Sequence, residues 1–219
     1  MKPVTKFTAI SLLVFCAFGC ATVPHQGPVS PPSPVMGVYH RVEKGQTLWK
    51  ISKLYNIDID ELVEANRLVN KAQIQAGQLL FIPKEAEPLS LAPNSIEEFI
   101  WPVKGTVLNS FNQITDNVAN KGLDIKTAYG AAVSVARSGK VIFVSENLKG
   151  FGKTIIVQHD DNFSTVYARN SENLVKVGEN VRQGQEIAKV GISGRSNIPY
   201  LHFEIRKKHI PQNPYYYLP

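Results

Sequence analysis

From residue 132 to residue 206 the chain repeats one pattern: a short run in which β-branched and aromatic residues alternate with polar or small ones, followed by Gly, Asn or Asp. The runs are Ala132–Ala136, Lys140–Val144, Lys153–Val157, Ser164–Tyr167, Glu186–Val190 and Leu201–Arg206. A period of two buries one face of a strand and wets the other, and the intervening residues suit tight turns. Successive strands of this kind restrict the C-terminal part, residues 99–219, to a mainly antiparallel β-sandwich or open barrel.

The preceding segment follows a different rhythm. Val38–Val42 is a short β run that Gly45 interrupts. Thr47 is placed to cap a helix in which Leu48, Ile51, Leu54 and Tyr55 recur at helical spacing. Asp58-x-x-Glu61 opens a second helix carrying Leu62, Val63 and Ala65. Gly77-Gln78 then turns the chain into Leu79–Ile82, which Pro83 stops. Residues 37–83 therefore form a small βααβ unit, with two paired strands covered on one face by two helices, and the chain as a whole is α+β. Residues 84–98, polar and containing proline, form a linker between the two parts.

The N-terminus fits neither pattern. Lys2 and Lys6 precede an apolar stretch, residues 7–19, too short to remain comfortably as a membrane span, so residues 1–19 are an export signal. Residues 20–36, with prolines at 24, 28, 31, 32 and 34 and almost no charge, are an extended tether. The whole chain carries a net charge of +6, of which Lys2 and Lys6 would leave with the signal. So modest an excess, without a dense basic stripe, excludes a nucleic-acid binder. Both cysteines, Cys16 and Cys20, lie in this leader, which excludes a disulfide framework or a cysteine-based zinc site in the body. Ala17-Phe18-Gly19-Cys20 resembles a bacterial lipobox, which implies that Cys20 is lipidated and becomes the mature N-terminus. An ordinary cleaved signal, leaving an unmodified cysteine, is the alternative. Ala21 after Cys20 resembles the sorting pattern of outer-membrane lipoproteins that face the periplasm.

Within the βααβ unit, Tyr39-x-x-Val42-x-x-Gly45-Gln46-Thr47-Leu48-Trp49-x-Ile51, Leu62-x-x-x-Asn66 and Ile74-x-x-Gly77-Gln78-x-Leu80-x-Ile82-Pro83 resemble a LysM domain. The resemblance implies binding of N-acetylglucosamine-containing glycans, here peptidoglycan, in a shallow groove between the loops after the first strand and before the second. It nominates Gly45, Gln46, Thr47, Leu79 and Leu80 as groove members, with Gln46 standing where Asp is commoner. Leu48, Ile51, Leu62 and Ile82 are core residues, and His40 faces solvent from its strand.

The C-terminal part resembles the lysostaphin/LytM-type zinc endopeptidases from Trp101 to Pro219. The resemblance rests on Trp101-Pro-Val, Gly122-Leu-Asp124-Ile, Gly150-Phe-Gly152, Ile156-Val-Gln-His159, Thr165-Val-Tyr167, Gly191-x-Ser193-Gly194 and Leu201-His-Phe-Glu204. In active members a His-x-x-x-Asp pair and the second His of a His-x-His strand hold zinc. A histidine after a Tyr-Ala pair and the one opening His-x-His assist the reaction. Here the first metal histidine falls on Asn120, a neutral amide and a poor zinc ligand. The histidine after Tyr167-Ala168 falls on Arg169, which keeps its proton and cannot act as a base. The histidine opening His-x-His falls on Tyr200, a phenol of pKa about 10. Asp124 and His202 remain, either as a hydrogen-bonded pair joining neighbouring strands or as the remnant of a metal site. No catalytic residue, bound metal or cofactor is expected, and Asn120, Asp124, Arg169, Tyr200 and His202 are expected to line a partner-binding groove. His159 is structural or groove-lining, while His25 and His209 are solvated.

An exported lipoprotein joining a LysM domain to a degenerate LytM domain resembles the NlpD-type envelope lipoproteins. The resemblance implies that the groove binds protein and that the chain, itself no enzyme, activates a periplasmic N-acetylmuramoyl-L-alanine amidase during cell separation. Its partners would be peptidoglycan, that amidase and, through lipid, a membrane. A passive tether between outer membrane and wall, and a zinc endopeptidase with an altered metal site, are the competing readings.

Overall fold

A computed structural model of the chain describes residues 36–68, 74–83, 97–192 and 197–219. The expected signal, nearly all of the tether with Cys20, most of the linker, and Ser193-Gly194 lie outside the described residues. No helix among the described residues is long and apolar enough to cross a membrane.

The fold is α+β, with a small helical unit followed by a mainly antiparallel sheet. Strand β1 (Val38–Arg41) pairs antiparallel with β2 (Leu79–Ile82), setting Tyr39 opposite Phe81 and His40 opposite Leu80. Helices α1 (Leu48–Leu54) and α2 (Ile59–Ala65) lie between them in sequence. Thr47 caps α1 by accepting from the Lys50 amide at 3.2 Å, and Asp58 caps α2 by accepting from the Asp60 amide at 2.9 Å. Leu48, Ile51, Leu62, Leu80 and Ile82 are buried together with Val42. Asn66 fastens the unit: its amide donates to the carbonyls of Leu62 and Phe81, and its oxygen accepts from the Phe81 amide. One side chain thereby ties the end of α2 to the middle of β2.

The C-terminal sheet contains every strand the alternating runs predict: β7 (Ala132–Ser134), β8 (Gly139–Leu148), β9 (Gly152–Gln158), β10 (Phe163–Asn173), β12 (Glu186–Val190) and β13 (Tyr200–Lys207). To these it adds β3 (Thr106–Asn109), β6 (Leu123–Lys126), β11 (Asn180–Val181) and β14 (Ile210–Gln212), with a separate hairpin of β4 (Ile114–Thr115) and β5 (Val118–Ala119). The main path runs β11-β8-β9-β10-β13-β6-β3, with every pairing antiparallel. The β4–β5 hairpin turns on Asp116 and Asn117, both at positive φ, as a two-residue hairpin loop requires. Leu123, Ile125, Ile155, Val157, Leu201, Phe203 and Ile205 are fully buried and form the body of this core.

The two parts meet in an aromatic seam. Trp49, on α1, is only 2% exposed, and its ring lies 5.9 Å from Phe99, 6.1 Å from Phe163 and 6.4 Å from Tyr217. The Arg137 guanidinium stands over both the Trp49 and Phe99 rings, at 5.3 and 5.4 Å. All the described residues fall within one compact unit, Val35–Pro219.

Candidate functional site

Strand register builds the principal site. Asp124 on β6 lies directly opposite His202 on β13, and His202 lies opposite Ala168 on β10, so Arg169 follows one residue beyond. On β13 the alternation sends Tyr200, His202 and Glu204 to one face while Leu201, Phe203 and Ile205 enter the core. A cavity of about 730 Å³ opens on this face. All five residues nominated for a groove line it: Asn120, Asp124, Arg169, Tyr200 and His202.

The floor of the cavity is a row of alternating charge. His202 Nδ1 lies 2.7 Å from Asp124 Oδ1, and its Nε2 lies 3.1 Å from Glu204 Oε1. Arg206 Nε donates to the other oxygen of Glu204 at 2.5 Å, and Asn109 donates to Asp124 Oδ2 at 2.9 Å. Burial alone would lower the His202 pKa, but the hydrogen bonds to Asp124 and Glu204 outweigh it and raise the value above that of a free imidazole. Glu204 responds in the opposite sense: burial pushes its pKa up, and bonding to His202 and Arg206 brings it below the ordinary carboxylate value. With a carboxylate on each side, both ring nitrogens of a protonated His202 donate, and the Phe151 ring packs edge-on at 5.4 Å.

The walls are held differently. Asn120 turns its amide inward to its own loop, donating to the Asn109 carbonyl at 3.2 Å and accepting from the Gly122 amide at 3.2 Å. Arg169 sits at a register shift between Ala168 and Asn170, with φ +65°, a bulge that aims its side chain out of the sheet. Its guanidinium lies 5.2 Å from the Tyr200 ring centroid and donates to the Gly150 carbonyl at 3.1 Å. The β4–β5 hairpin and Ile198 add exposed apolar surface at the rim, through Val118 and Ile198 themselves. Among the described residues no three His, Cys, Asp or Glu side chains converge on a position for a metal ion.

The wall-binding residues nominated in the βααβ unit separate into two groups. Gly45, at φ +82°, and Leu79 are exposed, and Gln46 is half-buried with its carboxamide oxygen accepting from the Glu43 amide and from His40 Nε2. Leu80 is fully buried, and the Thr47 hydroxyl is spent on the helix cap, so neither side chain is available to a glycan. This corrects the expectation for both: Leu80 shares the helix-covered face of β2 with Ile82, and Thr47 is consumed by the first turn of α1. His40 is half-buried rather than fully solvated, bridging Gln46 and the Tyr55 hydroxyl.

Other histidines are structural or peripheral. His159 is buried, with Nδ1 donating to the Ser138 carbonyl at 2.9 Å and Nε2 2.8 Å from the Thr165 hydroxyl, which itself contacts Tyr167. Desolvation lowers its pKa to about 4. It does not line the cavity. His209 is exposed in the turn between β13 and β14, and His25 lies outside the described residues.

Comparison with known proteins converges on the same architecture. Peptidase family M23 matches residues 118–214 and the LysM domain matches residues 40–83. The lipoprotein YgeR of Escherichia coli K12 is 30% identical over 208 residues, covering 84% of this chain and 82% of YgeR. The murein hydrolase activator NlpD of the same bacterium is 38% identical over 124 residues, covering 57% of this chain but only 32% of the activator. A chain in the structure of the SpoIIQ–SpoIIIAH pore-forming complex superposes with a TM-score of 0.52 at 28% identity, over 57% of this chain and 92% of that one.

Proposed function

Because the chain belongs to the family of envelope lipoproteins that couple a LysM domain to an M23 peptidase domain, the NlpD activators among them, we propose that it activates a peptidoglycan hydrolase without catalysing hydrolysis itself. The partner is a periplasmic N-acetylmuramoyl-L-alanine amidase acting in cell separation, and the chain sits on the periplasmic side of the outer membrane through lipid on Cys20. The LysM segment holds it to peptidoglycan through the loop at Gly45 and Gln46 and through Leu79.

One observation carries this reading: both ring nitrogens of His202 are committed to carboxylates, and the other positions a zinc peptidase would use are occupied by Asn120, Arg169 and Tyr200. A zinc ion does not fit this donor set. Asp124 already shares its two oxygens between His202 and Asn109, and the Asn120 amide is engaged within its own loop. A permanent guanidinium in the same cavity opposes a cation and cannot accept a proton from water. The cavity that remains has apolar rims and a basic wall, features suited to a peptide rather than to a reaction. The use of a related fold inside a protein–protein complex, that of SpoIIQ and SpoIIIAH, supports the same use here. In the proposed mechanism the groove takes up a regulatory helix of the amidase and withdraws it from the amidase's own zinc site, with Arg169 meeting acidic side chains on that helix.

The test is dye release from labelled sacculi by an autoinhibited amidase of the same organism, with and without this protein, and by this protein alone. Release only from the mixture is the expected result. No gain over the amidase alone would favour a passive tether. Release by this protein alone would overturn the reading of its metal positions. Arg169→Glu should abolish the gain, and full activation by that variant would remove Arg169 from the mechanism.

A further inference from the structure

The docking of α1 onto the sheet is more than incidental packing. On the helix, Leu48, Ile51 and Ser52 point toward one side, and Leu48 and Ile51 join the unit's own core. Trp49, Lys50 and Lys53 point the other way, as 100° per residue requires. On that second side Phe99, Phe163 and Tyr217 surround Trp49, Lys50 pairs with Glu98 at 2.5 Å, and Lys53 lies 3.5 Å from Asp161, all of them residues outside the βααβ unit. Asp58 and Asp60 at the start of α2 lie close enough to Tyr217 to reinforce the upward shift that burial gives its phenol. Among the described residues Arg137, 6% exposed, has no carboxylate within ion-pair distance and no hydrogen-bond partner for Nη1, and it lies across the Trp49 and Phe99 rings. The Trp49 ring of the helix is one of the two faces that enclose this cation.

The dock also leaves both proposed binding surfaces open. Phe163 begins β10 and Arg169 lies six residues further along it, so the seam and the cavity are separated by about 20 Å at ~3.3 Å per residue. The loop at Gly45 and the Leu79 side chain stay exposed with α1 in place.

We propose that Trp49 is the anchor of a permanent intramolecular interface that locks the LysM segment to the end of the sheet remote from the cavity, so that the wall-binding loop and the cavity move as one rigid body. The surface that receives it is the aromatic cup of Phe99, Phe163 and Tyr217, closed by Arg137. The partner it fits is this chain's own α1. This inference stands whether or not the cavity takes up an amidase.

The measurement is backbone ¹⁵N relaxation on residues 35–219, reading the rotational correlation time separately for residues 36–83 and 97–219. The expected result is one shared correlation time, and two unequal values for the unsubstituted protein would overturn the proposal. Trp49→Ala should split the value in two, with the shorter time on residues 36–83. Arg137→Glu should do the same while leaving the core of the LysM segment untouched, because it sets an unpaired carboxylate against the two rings. If Trp49→Ala instead unfolds residues 36–83, Arg137→Glu decides: separate tumbling of two folded parts sustains the interface, and a single retained correlation time refutes it.

Discussion

The two buried histidines of the C-terminal sheet show how differently its two ends are built. His159 stands near the seam, edge-on to Phe99 at 5.7 Å, with a carbonyl and a hydroxyl for partners. Desolvation dominates there, and the ring stays neutral. His202 stands in the cavity floor between Asp124 and Glu204, where two hydrogen-bonded carboxylates outweigh burial and raise its pKa. The same residue, similarly enclosed, is pushed toward its neutral form at the closed end and toward its cation at the open one. The neighbours decide which, and they divide the sheet into an apolar end that receives a helix and a polar end that remains open.

The largest effect should come from breaking the closed end. Trp49→Ala removes a ring buried among three others, and should cost about 3–5 kcal/mol in chemical denaturation. Its unfolding curve should separate into two transitions where the parent protein shows one. At the open end, Glu204→Ala strips a fully buried carboxylate from between His202 and Arg206, at a cost of about 3 kcal/mol by the same assay. Titration sharpens the contrast. His159 has its folded pKa depressed to about 4, so its contribution to stability is complete above pH 6.5, its unfolded value, and is lost as pH falls toward 4, to the extent of roughly 2–3 kcal/mol. His202 has its folded pKa raised, so its contribution is complete below its unfolded value and is lost as pH rises through the folded one. Imidazole NMR titration should place the His202 midpoint above that of a free imidazole and the His159 midpoint near 4; a shared midpoint would erase the distinction. The smallest effect belongs to the rim of the seam: Lys53→Ala removes a half-exposed pair and should change stability by under about 1 kcal/mol.

Much of this was legible in the chain itself. The alternating runs become β7, β8, β9, β10, β12 and β13, because a period of two specifies both the strand and its buried face. The same parity puts Tyr200 and His202 in the cavity, and extended by one step it would have added Glu204, whose bond to His202 matters as much as that of Asp124. The β4–β5 hairpin was hidden because two-residue strands carry no periodicity; only the Asp116-Asn117 turn announces it. Phe151 reaches His202 from the turn between β8 and β9, a contact that local pattern does not encode. The seam was illegible for a related reason. Trp49 looks like an ordinary apolar position of a short helix, and Phe99, Phe163 and Tyr217 are far apart in sequence until the sheet gathers them.

The inward-turned amide of Asn120 bears on what this position can tolerate. Replacing it with histidine would forfeit the bonds to the Asn109 carbonyl and the Gly122 amide, about 1 kcal/mol each. The new imidazole would still face Arg169, held out by its bulge, and His202, committed on both nitrogens. Asn120→His is thus a loss of stability before any gain, measurable as a lower midpoint in chemical denaturation.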